Sequence, residues 1–231
     1  MRIALISDLH ANAAALAALS DVLESADRVV CLGDIVGYYC QVNETIALLR
    51  GYNPLCVLGN HDAYLLRGNE SGLPESVRFG LQYAERVITP ENRAWLAGLP
   101  HMWGGQMGEL SCLFFHGSPW QPIEHYLYMD SPLLSGLDHF NFDLIAFGQT
   151  HRALIRMDKR PLLINPGSVG QSRDAMSYGR ACAVICETAS KGVEVIERGY
   201  DMQAVVDEAL SQGAGDWVRK FVPSGTRARG R

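Results

Sequence analysis

Three stretches near the start of the chain share one pattern: RIALISDLH at residues 2–10, RVVCLGD at 28–34 and PLCVLGNHD at 54–62. Each begins with a short apolar run rich in branched residues, which is typical of a buried β-strand, and ends in a polar cluster. Residues 11–25 and 41–51, between them, have helical spacing and good helix formers. This alternation predicts an α/β fold with right-handed parallel crossovers, in which the polar clusters meet at the carboxyl ends of the strands.

The rest of the chain contains further predicted strands and helices. Residues 68–80 hold several Gly, Ser and Pro residues and are predicted to form a loop or lid. A pair of helices should follow, the second beginning at Pro90 with Thr89 as its cap. A last helix is predicted near 202–210. The remaining predicted strands lie at 110–115, 143–147, 153–157, 162–164, 181–186 and 193–196.

Length and composition favour one soluble domain. A chain of 231 residues, of which 48% are hydrophobic and 19% charged, can bury a sufficient core without disulfides. We predict a single domain over residues 1–222 and a disordered basic tail at 223–231. The net charge of −5 gives no general attraction for nucleic acid or anionic membranes, and no apolar run is long enough to span a bilayer.

The cysteines indicate a reducing compartment. Six are present, mostly inside apolar runs, and no CxxC pair occurs. Buried thiols are therefore the preferred interpretation, and a thiolate zinc site is not indicated. Because the first predicted strand begins at Arg2 and leaves no room for a signal peptide, we predict a cytoplasmic location. The sequence leaves the oligomeric state open.

Five polar clusters follow predicted strands directly. One aspartate or histidine in such a place is usually a helix cap or a hydrogen-bonded residue. Here four of the seven histidines stand at strand ends beside two aspartates and an asparagine, which capping explains poorly. Oxygen and imidazole ligands suit Mn, Fe, Zn or Ni, and the set suffices for two ions that share one carboxylate. The clusters are Asp8–His10, Gly33–Asp34, Gly59–Asp62, His116–Gly117 and Gln149–His151.

The order of these motifs resembles the calcineurin-like metallophosphoesterase superfamily. Motifs in the same order run from residue 8 to about 174 and are more specific together than any one alone. The segments 33–38, 43–44 and 165–170 are similar to its small bacterial and archaeal phosphodiesterase-like branch. Gly37-Tyr38 stands where the protein phosphatases carry an Asp-Arg pair, which favours that branch. The matching residues are Asp8-x-His10, Gly33-Asp34, Gly59-Asn60-His61-Asp62, His116 and Gly148-x-Thr150-His151.

The resemblance implies a fold and a reaction. The fold would be a four-layer α/β/β/α sandwich with two mixed sheets. The reaction would be hydrolysis of a phosphate ester by attack of a metal-bound hydroxide at a two-metal site. The substrate would be a small phosphorylated molecule of the phosphodiester or nucleotide type.

The resemblance also assigns roles to individual residues. The first metal would be held by Asp8, His10 and His151, and the second by Asn60 and His116. Asp34 would bridge both ions and so take part in catalysis. His61, paired with a nearby carboxylate, would contact the phosphate or protonate the leaving oxygen, and Asn60 would also touch the substrate.

One position departs from the family pattern. Where the family has Gly-His-x-His, this chain has Gly148-Gln149-Thr150-His151, so a usual ligand of the second metal is replaced by Gln149. An amide oxygen is a weaker ligand for transition metals than imidazole. The hypothesis is that the second site is weaker, or is completed by water, and prefers a harder ion such as manganese.

Other features leave alternatives open. Arg152 and Arg173 are candidates for binding substrate phosphate, although surface arginines are usually only solvated. The aromatic residues Tyr38, Tyr39, Trp120 and Tyr126 could form a wall for a nucleobase, although core or rim packing is the commoner role. The second functional hypothesis is a non-catalytic interaction module that keeps the fold, as in a retromer subunit of the superfamily. Retention of His61 and of the predicted metal ligands favours the enzyme.

Overall fold

The computed structural model describes residues 1–68 and 71–223. It contains ten strands and eight α-helices in this described part. The strands are β1 Arg2–Ile6, β2 Arg28–Cys31, β3 Leu55–Cys56, β4 Met102–Met107, β5 Leu110–Phe115, β6 Leu144–Ala146, β7 Ala153–Arg156, β8 Leu162–Pro166, β9 Arg180–Glu187 and β10 Val193–Gly199. The helices are α1 Ala13–Ala17, α2 Ser20–Glu24, α3 Val42–Gly51, α4 Asn60–Arg67, α5 Glu75–Val87, α6 Pro90–Ala97, α7 Pro132–Gly136 and α8 Met202–Ser211.

The strands form two five-stranded mixed sheets. The first has the order β10-β9-β1-β2-β3, and the second has the order β4-β5-β6-β8-β7. Strands β1, β2 and β3 are parallel to one another, as are β5, β6 and β8. The remaining strands, β4, β7, β9 and β10, pair antiparallel with their neighbours. In each sheet the parallel strands therefore end on one side, which is where reactive side chains can collect.

The strand alternation divides the core into layers. Along β1, Ile3 and Leu5 face the second sheet, whereas Ala4 and Ile6 face helices. The inner layer joins the first sheet to Phe114, Leu144 and Ile164 of the second. Helical residues cover the outer faces: Leu16, Ile46 and Val206 pack on the first sheet, and Leu134 packs on the second. The predicted α/β/β/α sandwich with two mixed sheets is confirmed.

Some local predictions were wrong. The helix expected over residues 11–25 is divided into α1 and α2. Residues 75–80, assigned to a loop, form the first part of α5. Gly80 lies inside that helix because a Cβ there would stand 2.1 Å from the backbone nitrogen of Tyr38. The close approach of two backbones explains a residue that disfavours helix when read locally.

Three further sequence predictions concern membrane-spanning segments, the cysteines and the basic tail. No helix in the described ranges is long and apolar enough to cross a bilayer. The six cysteines are buried and unpaired, as the sequence predicts. Residues 224–231, which make up nearly all of the predicted basic tail, lie outside the described residues.

Candidate metal centre

The predicted ligands gather at the carboxyl ends of the parallel strands, where the two sheets meet. Asp8 and His10 follow β1, and Asp34 follows β2. Asn60 begins α4 just after β3. From the second sheet, His116 follows β5, and Gln149 and His151 follow β6. All of these side chains are buried. The structure therefore brings together every predicted metal ligand, Gln149 included.

Asp8, His10, Asp34 and His151 form a first group of ligand atoms. One atom from each can be chosen so that all four lie within 4.8 Å of one another. The His151 Nε2 atom lies 3.3 Å from Asp8 Oδ1 and 3.0 Å from His10 Nε2. His10 Nε2 is 3.8 Å from Asp8 Oδ1 and 3.8 Å from Asp34 Oδ2. Carboxylate and imidazole atoms thus face a common point.

Asp34 also belongs to a second group, with Asn60, His116 and Gln149. His116 Nε2 lies 3.4 Å from Asp34 Oδ2 and 3.2 Å from the end of the Asn60 amide. The same amide end lies 3.0 Å from Asp34 Oδ2 and 3.2 Å from Gln149 Oε1. The Asp34 Oδ1 atom is a fourth neighbour of this position, at 3.2 Å. An amide NH2 turned towards these four atoms can donate to two of them, whereas a cation could take them as ligands together with the Asn60 oxygen.

Hydrogen bonds to the backbone fix the orientation of three imidazoles. The Nδ1 atom lies 3.3 Å from the Val36 carbonyl in His10, 2.7 Å from the Leu32 carbonyl in His116 and 2.6 Å from the Gln171 carbonyl in His151. Because a carbonyl only accepts, each Nδ1 carries the proton in the neutral ring. The lone pair on each Nε2 then points into the cluster, as in metal-ligating histidines.

Two observations fit these residues to bound cations. Both oxygens of the Asp8 carboxylate are buried and have no hydrogen-bond partner among the described residues. An unpaired buried carboxylate is costly unless a cation compensates it. In addition, the neutral rings of His10 and His151 bring two Nε2 lone pairs within 3.0 Å, which is repulsive without a cation between them. The donor set of oxygen and imidazole nitrogen suits borderline divalent ions.

The pKa values of the side chains separate neutral from protonated imidazoles, and His116 must release a proton before its Nε2 atom can bind a cation. Burial raises the pKa of Asp8 to about 7, although His116 opposes the rise. Burial, assisted by neighbouring positive charge, lowers the pKa of His10 and His151 well below the usual range, so both rings are neutral ligands. Burial opposes charge on Asp34 and His116 as well. Their mutual attraction outweighs it and holds the pKa of Asp34 low while raising that of His116 to about 9.

The backbone is strained at the ligands. Asp8, His10, Asp34, Gln149 and His151 all have positive φ, between 52° and 71°. Non-glycine residues rarely adopt this left-handed conformation, and it persists only where the surrounding structure enforces it. This backbone conformation directs the polar side chains at the strand ends towards the cluster. No sequence signal predicts it.

A buried hydrogen-bond network, not predicted from the sequence, supports the strand-end loops. The Asp62 carboxylate accepts from the backbone N–H groups of Ile35, Val36 and Gly59, at 2.9–3.0 Å. The position of Asp62 near the start of α4, three residues after its cap, was the available signal. Gly59 is required beside it, because a Cβ would stand 2.2 Å from the Asp34 backbone nitrogen.

The loop after β8 anchors the first ligand group. Ser168 Oγ donates to the Asp8 carbonyl at 2.8 Å. Asn165 Nδ2 donates to the Gly148 carbonyl at 2.6 Å and to Thr150 Oγ1 at 3.1 Å. The Asn-Pro-Gly-Ser motif noted in the sequence therefore positions ligands in the loops that follow β1 and β6.

His61 lies at the cluster but makes no hydrogen bond to a carboxylate. Its Nε2 atom is 3.9 Å from Asp34 Oδ2, and its Nδ1 atom has no partner among the described residues. The carboxylate nearest to this ring is therefore that of Asp34, at a distance longer than a hydrogen bond. Its ring lies between those of His10 and Tyr38, with centroids at 4.7 Å and 4.8 Å. The backbone N–H of His61 donates to Asp34 Oδ1 at 2.9 Å and fixes the orientation of that carboxylate.

The other residues predicted to contact substrate are two arginines and a group of aromatic residues. Arg152 and Arg173 line a cavity of about 610 Å³ that His151 also borders. Of the aromatic residues, Tyr38 lies against the ligand rings, whereas Tyr39 is fully buried in the core. Trp120 packs on Phe140 instead, and 46% of it is exposed. Of these three residues, Tyr38 alone lies beside the ligand rings. The fourth predicted residue, Tyr126, stacks on Tyr128 with the ring centroids 5.9 Å apart and is 40% exposed.

Comparisons with known proteins agree with this geometry. A protein of Methanocaldococcus jannaschii described as uncharacterised is 33% identical over 238 residues, covering 94% of this chain and 95% of its own. The crystal structure of a metallophosphoesterase from Sphaerobacter thermophilus is 28% identical, with a TM-score of 0.80 over 96% of this chain and 98% of its own. A hypothetical protein of Pyrococcus horikoshii OT3, 20% identical, has the same fold, with a TM-score of 0.83 over 98% and 99%.

The family itself is identified by a sequence profile. The profile of the calcineurin-like phosphoesterase superfamily domain matches residues 1–191. This confirms, at the level of the family, the prediction of a hydrolase that acts on phosphate esters. With its fold, its buried ligand cluster and this match, the chain belongs to the calcineurin-like phosphoesterase superfamily.

Proposed function

We propose that this protein hydrolyses small phosphate esters, of the phosphodiester or nucleotide type, at a centre that holds two divalent cations. The observation that carries the proposal is the position of Asp34 between two groups of buried ligand atoms. Its Oδ2 atom lies 3.8 Å from His10 Nε2 in one group and 3.4 Å from His116 Nε2 in the other. A carboxylate in this position can be shared by two ions.

Different residues are proposed to hold each of the two ions. Asp8, His10 and His151 would hold the first ion with Asp34, and Asn60 and His116 would hold the second. Two divalent cations supply neutralisation of the phosphoryl charge and a lowered pKa for water. The backbone carbonyls behind the three imidazoles keep the Nε2 atoms directed at the centre.

His61 is proposed to donate a hydrogen bond to the phosphoryl group or to the leaving oxygen. Its buried ring is held between two aromatic rings, and its Nε2 atom faces the bridging carboxylate without bonding to it. A donor fixed in this way contributes to catalysis by its position rather than by holding metal. Asn60 and Arg152 complete the proposed substrate contacts.

The direct test is turnover of bis(p-nitrophenyl) phosphate by the purified chain with added Mn²⁺. We expect p-nitrophenolate to be released only when the metal is present, and we expect a chelator to abolish this release. A protein that is folded, as judged by circular dichroism, yet inactive with Mn²⁺, Fe²⁺, Zn²⁺ and Ni²⁺ would contradict the proposed reaction.

Replacing His61 with Asn should separate catalysis from metal binding. We expect kcat to fall by about 10²- to 10⁴-fold, the usual contribution of a positioned proton donor, while metal content stays unchanged. Turnover and metal analysis of the same preparation measure both. The control is His101→Asn, at an exposed histidine outside the cluster, which should leave both unchanged. Loss of metal in His61→Asn would instead make His61 a ligand.

Gln149 is proposed to weaken the second site and to favour a harder ion such as manganese. In Gln149→His, an imidazole replaces the amide, and we expect affinity for the second Zn²⁺ ion to rise by about tenfold or more, because imidazole suits this metal better. Equilibrium dialysis with metal analysis gives the two affinities. Gln106→His, at an exposed residue of β4, is the matched control. Equally tight loading of both sites in all the proteins would refute the idea.

A further inference from the structure

A second cavity, of about 430 Å³, opens beside the metal centre. Its volume is within the range of ordinary small-molecule pockets, about 300–1,000 Å³. No carboxylate of residues 1–68 or 71–223 lines it, whereas the larger cavity that His151 borders has Asp174 and Glu197 in its wall. We call it the cationic–aromatic cavity, after the residues Arg152, Arg173, Lys220, Tyr38, Tyr178 and Trp217 in its wall.

The cationic–aromatic cavity shares a wall with the metal centre. The Tyr38 ring lies 4.6 Å from that of His10, between centroids. Arg173 is tied to the same wall, because its Nη2 donates to the Tyr38 hydroxyl at 3.5 Å and its backbone N–H donates to the His151 carbonyl at 3.3 Å. A ligand whose phosphate reacts at the centre can therefore extend directly into this cavity.

Its cations have no carboxylate partner within the described ranges. Arg156, Arg180 and Arg198 each form an ion pair. In contrast, no ion pair involves Arg152, Arg173 or Lys220 in the part of the chain that the structure describes; Lys220 lies over the Phe221 ring, 4.7 Å from its centroid. Three unmatched positive charges in one cavity of a chain with a net charge of −5 form a local attraction for anions.

Aromatic rings form the rest of the wall. Trp217 lies 6.1 Å from Tyr38 and 6.1 Å from Phe79, between ring centroids. Trp217 is partly exposed, and its buried side packs against the hydrophobic core beside the first sheet. A fixed and partly exposed indole offers a surface on which a planar ring can stack.

We propose that the cationic–aromatic cavity binds the base and a further phosphate of a nucleotide whose reacting phosphate lies at the metal centre. The inference rests on the proposed function and names its substrate class: nucleotide esters that carry more than one phosphate. The arginines and Lys220 bind the additional phosphate, and Trp217 with its aromatic neighbours takes the base. A small sugar phosphate would leave both features unused.

The test is calorimetric binding of ribose 5-phosphate, adenosine monophosphate and adenosine diphosphate to the full chain, stripped of metal and again with Mn²⁺. The metal-free arm contains no turnover. We expect the monophosphate to bind about 5- to 100-fold more tightly than ribose 5-phosphate, as base stacking provides. The second phosphate should add about 3- to 10-fold, through charge-assisted contacts.

Substitutions in the cavity test which residue provides each gain in affinity. Trp217→Ala should remove most of the advantage of adenosine monophosphate over ribose 5-phosphate. Lys220→Gln, at an exposed residue whose change does not endanger folding, should remove much of the advantage of the diphosphate. Trp120→Ala is the matched control, because this exposed indole packs elsewhere, on Phe140, and its loss should change neither.

The outcomes separate this inference from the proposed function. Equal affinity for the three ligands, or unchanged selectivity in Lys220→Gln, would overturn the cavity assignment even if bis(p-nitrophenyl) phosphate is hydrolysed. Conversely, the expected selectivity in a chain that hydrolyses no ester would uphold the cavity and refute the hydrolase.

Discussion

Replacing Asp34 with Asn is expected to lower turnover of bis(p-nitrophenyl) phosphate by at least about 10³-fold, a loss of roughly 4 kcal/mol in transition-state stabilisation. Among the described residues, Asp34 is the carboxylate that reaches both ligand groups, and its Oδ2 atom lies within 3.9 Å of His10, His61 and His116. The change removes the negative charge and keeps the shape. Metal content after dialysis should therefore fall from two ions per chain towards one or fewer.

The asparagine variant should still fold. Its Oδ1 atom can accept the backbone N–H of His61, which donates to Asp34 at 2.9 Å. Asp207→Asn, at an exposed residue of α8, is the matched control and should retain turnover and metal. Two tightly bound ions in Asp34→Asn, with turnover within tenfold of the unchanged protein, would exclude a shared carboxylate at this position.

Part of the side-chain cluster could be predicted from the sequence, because its arrangement follows from a topological rule. Parallel strands present their carboxyl ends on one side of a sheet, so polar residues after β1 and β2 lie together once these strands pair. The residue after β5 reaches them because the second sheet packs against the first. The alternation of apolar runs and helices contains the information for this pairing. Asp8 and Asp34 could thus be placed together from the strand pattern, whereas His116 was added through the order of the family motifs.

The local geometry of the site could not be predicted in the same way. The left-handed conformation of Asp8, His10 and Asp34 is imposed by tertiary contacts; Asp and His adopt it more often than most residues, but too rarely for their type alone to predict it. The same holds for β4, whose Gly104-Gly105 pair disfavours a strand by propensity, although β5 pairs with it along its length. Trp217 could not be predicted as a site residue, because it belongs to no motif and reaches the site only through the folded carboxyl-terminal segment.

Asp62 shows how a residue outside the ligand set can control the centre. We expect Asp62→Ala to lower the free energy of unfolding by about 3–5 kcal/mol, because three buried N–H donors lose their acceptor at about 1–3 kcal/mol each. The donors belong to Ile35, Val36 and Gly59, which flank the ligands Asp34 and Asn60. Urea denaturation in the presence of a chelator measures the change without any contribution from bound metal.

The comparison with Asp62→Asn distinguishes hydrogen bonding from charge. Burial, with the nearby Asp34 charge, raises the pKa of Asp62 to about 6, so its ionised form gains little from its surroundings apart from the three donors. An amide keeps the oxygen that accepts from Ile35 and Val36 and loses the bond from Gly59, so the loss should be only about 1–2 kcal/mol. Asp207→Ala, at the surface, should cost less than about 0.5 kcal/mol. If Asp62→Asn were as destabilising as Asp62→Ala, the negative charge would be the stabilising feature and the hydrogen-bond account would fail.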